Sequence, residues 1–213
     1  MAKRRRRPFV WVTWLTGLLA GDDQCKYAAW FKAWYQDYRH RSGSGDLTKW
    51  KADHADLVER RRKELVASGF DVRMENENKF TVRGETATLS AGPDLLVLGE
   101  RTACVEDCKT GRQRDAHVWQ VILYMLFMPR PPSAEVVPLS GALVYADGTR
   151  QEITADMADD AARTRVGRLV RELARRDPPS ASPSAAECRY CDIAECRFRA
   201  VEGDVPEVRT EAF

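Results

Sequence analysis

The stretch Gly92 to Tyr124, GPDLLVLGERTACVEDCKTGRQRDAHVWQVILY, decides the fold. LLVLG after Asp94 and ACVEDCK before Thr110 are short, apolar and bounded by turn residues, which predicts two strands. Gly99-Glu100-Arg101-Thr102 between them suits a hairpin turn. Side chains alternate along a strand, so Asp107 and Lys109 share one face while Glu106 and Cys108 take the other. The hairpin brings Asp94 beside Asp107. Two carboxylates at close range repel unless a cation lies between them, and hard oxygen ligands favour Mg²⁺ or Mn²⁺. Lys109 next to such an ion has the chemistry to orient or deprotonate a water and to stabilise an anionic transition state. This is equipment for metal-assisted hydrolysis of a phosphodiester.

Thr110-Gly111 ends the second strand, and Asp115 is a candidate cap for the helix that follows. Gln120 and Tyr124 are four residues apart on that helix and so share a face. Val121, Ile122, Leu123, Leu126 and Phe127 predict that most of the helix is buried. Taken singly, a D-x-K on a strand is as readily a surface salt bridge, and Gln120 and Tyr124 are ordinary helix residues. The order carries the signal: an Asp, a short loop, D-x-K, Thr-Gly, then a helix with Q-x-x-x-Y.

With Gly92-Pro93-Asp94, Asp107-Cys108-Lys109-Thr110-Gly111 and Gln120 to Tyr124 in that order, the chain resembles the PD-(D/E)XK nuclease superfamily and its RecB-like branch. The resemblance implies a restriction-endonuclease-like α/β fold, a mixed β-sheet flanked by helices. It implies that Asp94 and Asp107 bind metal, that Lys109 is catalytic, and that Gln120 and Tyr124 contact DNA. The Cys108 carbonyl is a further candidate ligand. His54, on a long helix expected from Asp46 or Thr48 to Ser68, matches the histidine that RecB-like nucleases bring to the metal. Glu106 stands where a hydrophobic residue is usual and can be a strand-face carboxylate without a catalytic part. Glu75 and Glu77 have two readings, approach to the metal or solubility of an edge strand.

A chain of 213 residues makes one domain, or one with a small appendage. Its 44% hydrophobic and 31% charged residues suit a protein with a core. A net charge of +2 gives no argument for nucleic acid from overall charge, so any basic surface must come from local clustering. Lys3 to Arg7 followed by the apolar Phe9 to Ala20 imitates a signal peptide, but Thr13, Thr16 and two tryptophans interrupt the apolar part. The expectation is a basic, disordered tail over residues 1–12 and a cytoplasmic protein. Asp22 or Asp23 is expected to cap a helix to about Arg39, whose aromatic face (Ala28, Phe31, Trp34, Tyr35, Tyr38) packs on the core rather than on bases. Phe70–Glu75 and Lys79–Arg83 are expected to extend the catalytic sheet. Ala134–Tyr145 and Thr149–Ile153 read as a hairpin turning at Asp147-Gly148, and Asp156–Arg176 as a long helix. The nuclease core then spans residues 13–176, with a Pro/Ser-rich linker over 177–187 and a cysteine segment over 188–213.

The six cysteines do not form a disulfide scaffold in a chain of this length. Cys188, Cys191 and Cys196 form a C-x2-C with a third cysteine, a spacing that lets thiolates converge on one metal centre. Cys25, from the far end of the chain, is the candidate fourth. Zinc and a 4Fe-4S cluster both take four cysteines. The arrangement of one cysteine before the core and three after it resembles the iron–sulfur RecB-like nucleases, among them the CRISPR-associated family-four exonucleases and related exonucleases of actinobacterial phages. That resemblance implies a 4Fe-4S cluster joining the N- and C-terminal segments, and an exonuclease acting on single-stranded DNA ends. Two alternatives stay open: a CRISPR spacer-acquisition subunit working with an integrase, and a zinc-stapled nucleic-acid-binding module without catalysis.

Overall fold

The computed structural model describes residues 2–41, 47–129 and 138–201. Its centre is a five-stranded mixed sheet in the order β10-β9-β8-β7-β4. β4 is Asp71–Met74, β7 Leu95–Leu98, β8 Ala103–Lys109, β9 Leu139–Tyr145 and β10 Arg150–Ile153. β7 and β8 form the expected hairpin, closed by Gly99 N–H donating to the Thr102 carbonyl at 2.9 Å. β8 and β9 are parallel. A parallel pair needs a crossover, and helix α5, Asp115–Phe127, lies between them in the chain.

Both faces of this sheet are covered, which is why β7 and β9 read as nearly continuous apolar runs. On one face α5 packs through Val121, Ile122, Leu123 and Met125. The approach is close: a Cβ on Gly141 of β9 would lie 2.2 Å from Val121 Cγ1, so only glycine admits the helix there. On the other face helix α3, Leu47–Ala67, sets Leu57, Val58 and Leu65 against Leu95, Val97, Cys108 and Val144. Gly69, at φ +87, ends the path of α3 in the left-handed region, as its position in the sequence predicts.

A second sheet, ordered β2-β6-β5, consists of Phe9–Trp11, Thr88–Ala91 and Phe80–Arg83. Lys3–Arg4 (β1) pairs with Tyr35–Gln36 (β3). The stretch read as a disordered tail is therefore structured from its first strand on. Val10 is fully buried between β6 and the helices, and the arginines are tied down: Arg4 donates to the Arg176 carbonyl and lies over the Trp34 ring, while Arg7 bonds the Gly84 and Ala87 carbonyls. The basic run concealed the alternation of Phe9-Val10-Trp11. A second correction concerns Phe70–Arg83. Its two strands do not share the catalytic sheet, because the helical turn α4, Glu75–Asn78, sends β4 and β5 into different sheets.

Helices α1 (Thr13–Ala20), α2 (Lys26–Trp34) and α6 (Asp160–Leu173) pack beyond α5. α2 is shorter than expected at both ends. It starts after Cys25 and turns into β3 at Tyr35, with Asp37 at φ +57 just beyond. Its aromatic face is packed, as expected: the indole N–H groups of Trp30 and Trp34 donate to the Arg175 and Leu173 carbonyls at 2.9 and 3.1 Å, satisfying orphan groups at the end of α6. α6 begins later than expected, capped by Asp159 Oδ1 accepting from Ala162 N–H, after a 3₁₀ turn at Ala155–Ala158. Helix α7, Ala185–Tyr190, occupies the end of the segment read as a linker. The start of the expected strand from Ala134 and the end of the cysteine segment beyond Val201 lie outside the described residues. No described helix is long and apolar enough to cross a membrane.

Candidate active site

The C-terminal end of β8 and the start of β7 deliver the acidic pair to one cavity of about 980 Å³. Asp94 and Asp107 are both buried, as is Tyr124 behind them. Asp94 Oδ2 accepts from the Cys108 backbone N–H at 2.7 Å, which locks the β7 carboxylate to the β8 strand. Asp107 Oδ1 accepts from Gln120 Nε2 at 3.1 Å and from the Tyr124 hydroxyl at 3.4 Å. Among the described residues its Oδ2 meets only the Lys109 ammonium, as an ion pair. Burial raises the Asp107 carboxyl to about 6; the neighbouring Asp94 charge adds to this while Lys109 and His54 oppose it.

Gln120 links the set. It accepts from Lys109 Nζ at 2.9 Å and donates to the Tyr124 hydroxyl at 2.6 Å as well as to Asp107. The four-residue spacing on α5 thus sets Gln120 and Tyr124 on Asp107, with Tyr124 the deeper of the two.

His54 reaches the same point from α3. Its Nε2 lies 3.2 Å from the Cys108 carbonyl and 3.3 Å from Asp94 Oδ2. The bond to Asp94 raises its pKa, against the effect of its partial burial. Two carboxylates and a backbone carbonyl within one cavity are hard oxygen donors that suit Mg²⁺ or Mn²⁺, with the His54 imidazole beside them. Among the described residues, no three His, Cys, Asp or Glu side chains close on a single ion position. The Lys109 ammonium is the cation held against Asp107.

Glu106 has a different task. It is 1% exposed on the opposite strand face, where Arg61 Nε and Nη2 donate to its two oxygens at 2.7 and 3.0 Å and Arg150 adds a third bond at 3.2 Å. It is a buried structural ion pair tying α3 and β10 to β8. Of the two other acidic candidates, Glu75 lines the cavity and Glu77 does not; Glu77 Oε2 accepts from Met74 N–H and closes the turn of α4. A Cβ on Gly92 would come within 3.0 Å of Glu75 Oε1, so the glycine ahead of Asp94 makes room for that carboxylate.

Sequence reasoning missed His117, Trp11, Trp50 and Arg112, which all line the cavity. His117 Nδ1 lies 3.2 Å from the Tyr145 hydroxyl, and burial, with Lys109 and Arg114 nearby, lowers it to about 4. It is neutral at neutral pH. A signal was available: His117 stands three residues before Gln120 and so one helical turn away.

Cys25, Cys188, Cys191 and Cys196 line a second, smaller cavity of about 200 Å³, walled also by Trp14, Leu18 and Phe198. Cys25 directly precedes α2, and Cys188 and Cys191 belong to α7 and its end. Glu187 Oε1 accepts from the Gln24 and Cys25 N–H groups at 2.7 and 3.0 Å. Asp192 pairs with Lys32 and accepts from Tyr38, and Arg41 N–H donates to its carbonyl. The chain ends therefore meet through protein contacts around the four thiols. Burial raises the Cys25 thiol. Cys104 and Cys108 take no part: Cys108 is fully buried in the core under α3, and Cys104 is half-buried beside it.

The family model for the PD-(D/E)XK nuclease superfamily matches residues 14–196. No curated protein matches the chain. A solved structure titled "Crystal structure of SSO0001" is 13% identical, with a TM-score of 0.49 over 89% of this chain and 85% of that one.

Proposed function

From the premise that the chain belongs to the PD-(D/E)XK nuclease superfamily, we propose that it is a Mg²⁺- or Mn²⁺-dependent DNA exonuclease acting on single-stranded ends in the cytoplasm. The observation that carries this is the convergence of Asp94, Asp107, Lys109 and His54 in one cavity, from three different elements. Asp94, Asp107, His54 Nε2 and the Cys108 carbonyl would hold the metal. A bound divalent cation there supplies Lewis-acid polarisation of the phosphate and lowers the pKa of a water. Asp107 is poised to receive it: its pKa is raised by burial and one oxygen has only Lys109 for a partner. With a cation offsetting the Asp107 charge, Lys109 would be free to orient the attacking water and to stabilise charge on the non-bridging oxygens. Gln120 keeps Lys109 and Asp107 in mutual register, with Tyr124 bracing it from behind, and the DNA backbone would reach its amide by displacing one of these bonds. Arg112, exposed at the cavity wall, is placed to neutralise a flanking phosphate.

The cysteine cavity supports a structural 4Fe-4S cluster held by Cys25, Cys188, Cys191 and Cys196. All four cysteines line one small, partly apolar cavity, where no three of them close on a single ion position; a cluster, wider than one ion, would draw the thiols together. Its task is to hold the two ends of the chain's described fold together, with Thr13 lining both this cavity and the acidic one.

The decisive test incubates anaerobically purified protein with end-labelled single-stranded DNA and Mg²⁺ or Mn²⁺. Mononucleotide release that stops with EDTA and in Lys109→Ala supports the proposal. Equal cleavage by Lys109→Ala would remove Lys109 from the mechanism. Iron, sulfide and zinc assays on the same sample decide the cluster, and one zinc per chain without sulfide would overturn it.

A further inference from the structure

Trp50 stands one turn before His54 on α3, so the two side chains share a face. Their rings are stacked, with centroids 5.5 Å apart and 23° between planes. Trp50 lines the catalytic cavity, yet it remains 51% exposed. It belongs to neither of the two apolar clusters that build the core. A single exposed apolar side chain is common on a folded surface; what marks Trp50 is that its indole stands in the wall of the acidic cavity and on the His54 ring. Trp11, from the second sheet, lines the same cavity, with the Lys79 ammonium 5.2 Å from its ring centre. The cavity thus combines aromatic faces with the cations Lys109 and Arg112 and the acidic pair.

We propose that Trp50 is a stacking platform for an unpaired base of the substrate strand, and that this contact selects single-stranded over paired ends. The inference rests on the nuclease reading above and adds the residue that confers strand selectivity. In a duplex each base has neighbours on both faces, so its π-surface is closed to a protein side chain. A splayed base offers a free face. Stacking on Trp50 is open to any of the four bases, since each has such a face. Because Trp50 is stacked on His54, a base on its outer face is separated by the indole from the residue that touches Asp94 and the Cys108 carbonyl. Lys109 and Arg112 are then available for the phosphates of the same strand.

The test is binding of fluorescein-labelled oligothymidylate by anisotropy, without divalent metal so that no cleavage occurs. An abasic residue is walked along the strand, and wild type is compared with Trp50→Leu and Trp50→Tyr. Expected is a weakening of roughly tenfold at one or two adjacent abasic positions in wild type, the size of one lost base–aromatic stack. Trp50→Leu binds the intact strand that much more weakly and is insensitive to those same abasic positions, while Trp50→Tyr restores the sensitivity. A merely supporting role for Trp50 under His54 would weaken binding without flattening the abasic profile. An unchanged profile in Trp50→Leu, or equal affinity of wild type for a duplex of the same length, overturns the proposal. Wild type that binds neither form overturns the nuclease reading itself.

Discussion

The acidic cavity and the cysteine cavity, here the two poles of the comparison, bring residues distant in the chain together in different ways. At the catalytic cavity, strand pairing and a helical repeat do most of the positioning. Asp94 meets Asp107 because β7 pairs with β8, and Gln120 and Tyr124 meet Asp107 because α5 crosses from β8 to β9. At the cysteine pole no ladder connects Cys25 to Cys188. The ends are joined by Glu187, Asp192 and a few backbone bonds. A site built on paired strands keeps its geometry when one side chain is changed. A junction of chain ends depends on each tie. Mutations at the first pole should therefore change rate and leave stability, and mutations at the second should do the reverse.

The largest effect expected is on rate. Lys109→Ala should reduce cleavage by roughly 10²–10⁴-fold, the usual worth of a positioned acid–base or electrostatic group, with an unchanged far-UV spectrum. Loss of the fold instead would show that the Lys109–Asp107–Gln120 contacts are structural first, and the contrast between the poles would fail. Next, Cys191→Ala should lose iron and sulfide and lower the melting temperature by several degrees. The nuclease motif would then still bind DNA in whatever fraction remains folded. A colourless variant that melts like wild type would show that Glu187 and Asp192 suffice to hold the ends.

Glu106→Gln sharpens the comparison within one strand, since Glu106 neighbours Asp107 and faces the other way. Removing its charge leaves Arg61 and Arg150 uncompensated. Breaking a fully buried pair costs about 3–5 kcal/mol; these arginines keep some solvent access, so about 2 kcal/mol is expected, measured by urea unfolding. The rate per folded molecule should be unchanged. A hundredfold loss of rate at full stability would return Glu106 to the catalytic set.

The smallest effect concerns His117. Its folded pKa of about 4 lies below the ordinary histidine value. The unfolded chain therefore takes up the proton more readily. The stability that neutral His117 contributes is present above about pH 6.5 and is lost progressively as pH falls towards 4. His117→Gln should flatten that part of the melting-temperature profile relative to wild type. A difference profile level from pH 7 to 4 would mean that the ring is more open to water than its setting beside Tyr145 implies.

The residues Asp94, Asp107, Lys109, Gln120 and Tyr124 were legible because local rules place them: period two in a strand, period four in a helix, and a hairpin set by its turn. The opposite outlook of Glu106 followed from the same alternation. His54 was legible only through the family resemblance. It reaches the site because α3 packs under β7 and β8, a contact no local pattern contains. The basic run of Lys3 to Arg7 pointed to a solvated tail because charge dominates composition. The structure uses those arginines as hydrogen-bond donors to carbonyls that only folding brings near.

By itself, then, the sequence determined the order of strands and helices around Asp107, the acidic pair with its lysine, and the spacing of the three C-terminal cysteines. These depend on neighbours within a few residues, where backbone geometry leaves few options. Tertiary structure alone decided that β2 enters a second sheet, that β4 and β5 part company, and that Trp50, Trp11 and His117 wall the cavity. Those outcomes depend on which apolar faces bury one another across long stretches of chain. That choice is settled by packing and hydrogen-bond satisfaction over the whole molecule rather than by any local run of residues.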